Sequence, residues 1–203
     1  MKRKIHIHLV LLFVILLTGS CKKDEILFNE ATGKETFTDT RDGKTYRIVT
    51  IGNQTWMAQN LDYNSDNGSG TETYARFYDY DEIFEAVPPG WHLPSEAEVQ
   101  ELIDYLGGES VAGGKLKETG ADHWRSPNTG ATNSSGFTAL PAGIYDYNSG
   151  CALREEKAYF WIPDTLKVYN SKCLALNFDN EEAIIKEHNI SGDNALSIRC
   201  IRD

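Results

Sequence analysis

Hydrophobic positions along this chain fall into three patterns. The first is an unbroken apolar run over residues 9–17, set between a basic start, Met1-Lys2-Arg3-Lys4, and the charged Lys22-Lys23-Asp24-Glu25. Nine residues are too few to cross a bilayer as a helix, which needs about 20. The second pattern is helical. Val99, Leu102, Ile103 and Leu106 recur at i, i+3, i+4 and i+7, so they share one face. Ser95-Glu96-Ala97-Glu98 before them is a capping box, and Gly107-Gly108 after them is a stop, which predicts a helix over 96–106. The third pattern is strand-like. Tyr46-Arg47-Ile48-Val49-Thr50-Ile51, a turn at Gly52-Asn53 and the run 54–58 predict a hairpin over 45–58. Residues 64–73 are a Gly/Ser/Asp/Asn loop. Beyond Gly136, β-branched and aromatic runs predict strands at 137–140, 158–162, 166–169, 173–178, 183–187 and 196–201. A hairpin and a helix followed by short strands define an α+β domain.

The apolar run ends at small residues, Gly19-Ser20, and then Cys21. Basic start, short apolar core and terminal cysteine resemble a bacterial lipoprotein signal. The resemblance implies cleavage after Ser20 and acylation of Cys21, although Thr18 stands where such signals usually have leucine. Lys23-Asp24-Glu25 resembles the signal that exports lipoproteins of the Bacteroides group to the outer leaflet of the outer membrane. The division expected is a signal over 1–20, a lipidated tether over 21–36 and a domain over 37–203. The membrane is then a partner through the lipid anchor alone.

Charge narrows the partners further. Loss of Lys2, Arg3 and Lys4 from the 20 basic residues leaves 17 against 30 acidic ones, a balance of −13 in the 183 residues that remain. Such a surface repels phosphate backbones, which excludes nucleic acid. With 17 glycines and 10 tyrosines, the composition suits short strands and ordered loops better than a helical bundle.

Four long segments and the C-terminus carry a family resemblance. They are Ile51-Gly52-Asn53-Gln54-Thr55-Trp56-Met57-Ala58-Gln59-Asn60-Leu61, Pro88-Pro89-Gly90-Trp91-His92-Leu93-Pro94-Ser95, the stretch from Gly113-Gly114-Lys115-Leu116 to His123-Trp124, and Gly136-Phe137-Thr138-Ala139-Leu140-Pro141-Ala142-Gly143. Leu196-Ser197-Ile198-Arg199-Cys200-Ile201-Arg202-Asp203 completes the order. Together they resemble the Fibrobacter succinogenes major paralogous domain. The Gly-Trp-His-Leu-Pro-Ser start of the helix is similar to that of sulfatase-modifying domains. The resemblance therefore implies a C-type-lectin-like fold: a small twisted antiparallel sheet, one or two helices and long loops. It implies no reaction. The chain departs from the family at Val87, at Ile162-Pro163-Asp164-Thr165 and at Val99.

Three cysteines remain besides Cys21, so they cannot all pair within the chain. Cys151 and Cys173 both stand where family members usually have none, which implies that the two form a disulfide and leaves Cys200 a buried thiol. A bridge from Cys200 to either of the others stays open on the sequence alone. No Cys-x-x-Cys, no copper-binding cysteine pair, no His-Glu-x-x-His and no Gly-x-Ser-x-Gly occurs. His92 and His123 read as hydrogen-bonded structural residues, and neither has the spacing of helical metal ligands to another histidine. Asp62, Asn64 and Asp66 alternate like the start of a calcium loop, but Gly68 arrives one place late and no closing glutamate follows; a solvated turn fits better. Asp179-Asn180-Glu181-Glu182 reads as a charged turn. Trp56, Trp91, Trp124 and Trp161 read as core. Asp164-Thr165-Leu166 matches a short bacterial O-glycosylation pattern. These readings give no catalytic centre, no cofactor and no metal. They lead to the expectation of a surface-anchored binding or scaffold module whose ligand, a glycan or a protein, meets the loops and hairpins of 144–194. A structural envelope protein and an enzyme on the same scaffold are the alternatives.

Overall fold

In the computed structural model, residues 26–29, 34–65, 71–72, 74–164, 170–189 and 194–203 are described. The elements run β1 (Ile26–Asn29), β2 (Lys34–Thr38), β3 (Thr45–Ile51), β4 (Gln54–Met57), β5 (Thr71–Glu72), β6 (Ala75–Arg76), α1 (Ile83–Ala86), β7 (Trp91–His92), α2 (Glu96–Tyr105) and α3 (Glu109–Leu116). Then follow β8 (Ile144–Asp146), β9 (Gly150–Ala152), β10 (Lys157–Ile162), β11 (Asn170–Asn177), β12 (Ala183–Asn189), β13 (Asn194–Ala195) and β14 (Ile201–Arg202). This is an α+β architecture of open sheets. The largest has the order β1-β2-β3-β4-β14-β7, and smaller ones the orders β10-β11-β12, β13-β8-β9 and β5-β6. Every ladder between named strands is antiparallel.

The hairpin expected at 45–58 is β3–β4, in register from Ile48 opposite Met57 to Ile51 opposite Gln54. The expected helix is α2. Ser95 Oγ accepts from Glu98 N, Glu98 Oε2 accepts from Ser95 N at 2.8 Å, and Val99, Leu102 and Ile103 are buried. Part of the segment read as tether behaves differently. β1 lies within it and pairs with β2, which pairs with β3, so the sheet begins before Phe37. Charged and apolar residues alternate too sparsely there to predict strands; an available sheet edge supplies what local propensity does not.

β10 and β11 explain their own apolar runs. Ala158, Phe160 and Ile162 of β10 face one core with Leu174 and Leu176 of β11, the buried side of α2, and α3. Tyr159, Trp161, Cys173 and Ala175 face a second core with Phe37, Tyr46, Met57, Trp91 and Cys200. A sheet buried on both faces shows no polar alternation. All four tryptophans are buried. Cys173 and Cys200 are unbridged buried thiols, and desolvation pushes the Cys173 thiol up to about 12. The Cys151–Cys173 disulfide is therefore not formed: Cys173 sits in the second core, whereas Cys151 packs on a separate cluster with Phe77 and Ala195.

Two expected strands resolve into something looser. Residues 196–200 are buried, yet their carbonyls serve separate segments: Leu196 O accepts from Tyr78 N, Ser197 O from Trp161 N, Ile198 O from Leu61 N and Cys200 O from Met57 N. Residues 137–140 likewise form no strand: they make one isolated bridge, Lys117 to Ala139, and Thr138 has a positive φ. The strand expected at 166–169 lies outside the described residues, as do Cys21, Asp66 and Thr165.

α3 was not legible from periodicity, because it carries Gly113 and Gly114 in its middle. A Cβ on Gly113 would lie 2.1 Å from Glu182 O, and one on Gly114 2.5 Å from Gly130 O. The helix packs backbone against backbone on two turns, which glycine alone permits. One of those turns is the charged 179–182 segment. Next to it Lys117 is fully buried, and its ammonium donates to Thr129 O (2.8 Å), Asn177 O (2.9 Å) and Asn180 O (2.8 Å).

Candidate functional site

The outer face of β3 sets the site. Tyr46 and Ile48 point into the core, so period-2 alternation turns Arg47 the other way, half-buried over a groove. The floor is Arg199, only 1% exposed. Its Nε donates to Asn60 Oδ1 (2.6 Å), Nη1 to Met57 O (3.0 Å) and Phe137 O (2.7 Å), and Nη2 to Thr138 O (2.9 Å). The guanidinium also lies over the rings of Phe137 and Phe160, at 4.6 and 5.4 Å. Burial first, and the charge of Arg47 second, press its pKa below the ordinary value. With its donors engaged it stays a guanidinium. None of these acceptors is a carboxylate.

Arg199 and Asn133 also hold Thr138 in an unusual backbone state. Thr138 has φ +56°, where a β-branched residue is strained by about 1–3 kcal/mol. Thr138 N donates to Asn133 Oδ1 at 2.8 Å, and Asn133 Nδ2 donates to Thr138 Oγ1 at 3.0 Å. The strain sits between two adjoining cavities, both of which Thr138 lines. One, of about 440 Å³, is lined by Arg47, Asn60, Asp62, Tyr74, Arg76, Glu118, His123, Thr138 and Arg199, among others. The second, of about 340 Å³, runs past Glu35, Thr50 and Asn133 and shares Arg47, Ala58 and Thr138 with the first. Both volumes fall in the range of small-ligand sites, about 300–1,000 Å³.

The charged walls are mostly paired. Asp62 accepts from Lys44 Nζ at 2.7 Å and from Arg76 Nε at 3.3 Å, so the best calcium candidate of the sequence is committed to two cations. His123 Nδ1 and Glu118 Oε2 are 2.6 Å apart, and the Tyr74 ring meets the imidazole edge-on at 5.2 Å. Arg47 is the exception. Among the described residues no carboxylate lies within ion-pair range of it.

His92 lies elsewhere, at the start of α2. Nδ1 is 2.7 Å from Asp203 Oδ1 and Nε2 is 2.8 Å from Glu98 Oε1. Burial opposes its protonation, but these two carboxylates outweigh burial and raise its pKa. With both ring nitrogens engaged, His92 ties the C-terminus to the helix cap. His188 packs on Trp161 at 5.3 Å, and burial lowers its pKa to about 4, so it is neutral at pH 7.

The ligand face is expected in 144–194. A cleft of about 550 Å³ does form there, from Glu96 and Gln100 on α2 and Pro163, Asp164 and Lys172, with Lys172 paired to Glu96 at 2.6 Å. The arginine-lined groove instead draws on segments that read as scaffold: 58–62, 74–76, 118–123, 138–140 and Arg199. Its one legible signal was Arg47, a cation on the open face of a strand with a core-facing Tyr46-x-Ile48. No curated protein and no solved structure matches the chain. The Fibrobacter succinogenes major domain matches residues 49–202, which takes in the floor of the groove and all of its walls except β2 and the start of β3. The chain belongs to the Fibrobacter succinogenes major domain family.

Proposed function

We propose that this protein is a bacterial lipoprotein, anchored through Cys21 in the outer membrane and facing outward, whose domain of C-type-lectin-like fold works as a non-catalytic binding module. The address is carried by the residues around Cys21 and by Lys23-Asp24-Glu25. The binding role rests on one observation: a groove of adjoining cavities whose floor, Arg199, is locked by internal hydrogen bonds while Arg47 above it is left open. A rigid floor under one unpaired guanidinium suits recognition, because little has to be ordered when a ligand arrives. Glycans and cell-surface proteins are the ligand classes that fit an outward-facing anchor.

The test has two parts. Cys21→Ala should abolish palmitate labelling and move the protein out of the detergent phase on partitioning; retention of both refutes the anchor. The full-length protein in mild detergent, screened against glycans and whole cells, should bind without consuming the ligand. One observation favours a second reading, an enzyme: the Glu118–His123 pair opens on the groove in the way a carboxylate orients a general base. A His123→Gln variant that stays folded but loses turnover of a bound ligand would carry that reading instead.

A further inference from the structure

Three features of the groove bear on what it binds. Three arginines line the larger cavity against two carboxylates, in a chain whose formal charge is −10. Both carboxylates are already spoken for, Asp62 by Lys44 and Arg76, Glu118 by His123. Arg47 and Arg199 face one another's charge, and among the described residues no carboxylate pairs with either. Two like charges brought together without a counterion are unfavourable in the empty site, and an oxyanion placed beside them removes that repulsion. A guanidinium is also the group whose planar fork matches a carboxylate or sulfate.

Resting on the binding-module reading, we infer that the groove binds a glycan bearing a single acidic sugar, whose carboxylate or sulfate pairs with Arg47 beside Arg199 while its ring packs near Tyr74. The Tyr74 ring supplies an apolar surface, and the Asn60 and Asn133 amides, each with one N–H already given to Tyr74 O and Thr138 Oγ1, keep a second N–H for a sugar oxygen. The chain's formal charge of −10 limits the charge of the ligand. A polyanion gains at Arg47 and is repelled everywhere else, so an isolated acid at or near a chain end fits best. Thr138 adds to the picture, since backbone strain of its kind persists where surrounding contacts impose it and gathers at ligand sites.

The experiment uses the full-length protein in mild detergent and three oligosaccharides that differ in one group: lactose, sialyllactose and sulfated lactose. Titration calorimetry should find an acidic member bound at least about tenfold more tightly than lactose, the size of one charge-assisted hydrogen bond. The preference should shrink as salt is raised. Comparison of the two acidic probes tells carboxylate from sulfate. Arg47→Ala should erase the preference and Arg47→Lys should keep part of it. Among the described residues Arg47 makes no side-chain ion pair, and its removal relieves repulsion with Arg199, so neither variant should melt below the wild type, and that measurement keeps a binding loss interpretable. Equal binding of lactose, a preference that survives in Arg47→Ala, or no binding of either acidic probe overturns the inference. Equal binding of lactose leaves the binding module standing. Capture of acidic peptides with no acidic oligosaccharide bound would also overturn it, while turnover of any probe would overturn the module itself.

Discussion

Lys117 offers the most direct measure of how this fold is held. Its side chain is fully buried, and its three N–H groups meet three carbonyls from separate segments: Thr129 in a loop, Asn177 at the end of β11 and Asn180 in the turn against α3. Lys117→Met keeps much of the stem and removes the donors. Each buried acceptor left unmade costs about 1–3 kcal/mol, so three cost about 3–9 kcal/mol. Methionine also escapes a penalty. Desolvation lowers the Lys117 pKa from 10.5 to about 8, opposed only weakly by Glu181 and Asp179. At about 1.4 kcal/mol per pH unit, that is about 3 kcal/mol against the ammonium. The expected balance is a net loss of about 3 kcal/mol, read by urea denaturation at pH 7. The pH dependence provides a second, independent reading. Below pH 8 both folded and unfolded chains hold the proton, and the folded one bears the penalty. Between pH 8 and 10.5 the unfolded chain keeps the proton that the folded chain has released, so this group makes stability rise with pH. The difference between wild type and Lys117→Met should therefore widen across that window. A methionine variant as stable as the wild type at pH 7, or a difference that narrows towards pH 10, would refute the reasoning.

Gly113→Ala should destabilise by about 1–3 kcal/mol or more, since its methyl group meets the Glu182 carbonyl where neither backbone can yield; Ser110→Ala in the same helix is the control, and a Gly113→Ala midpoint equal to the control's would show that the turn moves aside. Cys173 and Cys200 should both be unreactive to Ellman's reagent in the folded protein and both titrate in denaturant, because each is buried and its thiol pKa is raised by desolvation; mapping of any disulfide that includes Cys173 would contradict the structure.

How much of this was legible in the sequence depends on whether a residue's role is local. α2 was, since a capping box and an apolar face at helical spacing are decided within twelve residues, Ser95 to Leu106. The β3–β4 hairpin was too, because its turn and its alternation are contiguous. The family was legible for a related reason: its motifs are long runs whose order along the chain survives without any knowledge of contacts. By contrast, α3 was hidden by Gly113 and Gly114, whose reasons lie outside the helix, in the backbones of Glu182 and Gly130. Residues 196–200 have strand composition, yet they pair with no single strand, because four different segments claim their carbonyls. The pairing of Cys151 with Cys173 failed because β11 is buried on both faces, and which core its odd positions enter follows from sheet stacking and not from spacing. The groove belongs to the same class. Arg47, Asn60, Tyr74, Glu118, Thr138 and Arg199 come from six separate stretches, and each alone reads as scaffold. The sequence by itself determined α2, the β3–β4 hairpin and the family, since these depend on neighbours in the chain. Only the tertiary structure decided which charges meet, because electrostatic and hydrogen-bonding partners are set by distances in space, and no periodicity along the chain records them.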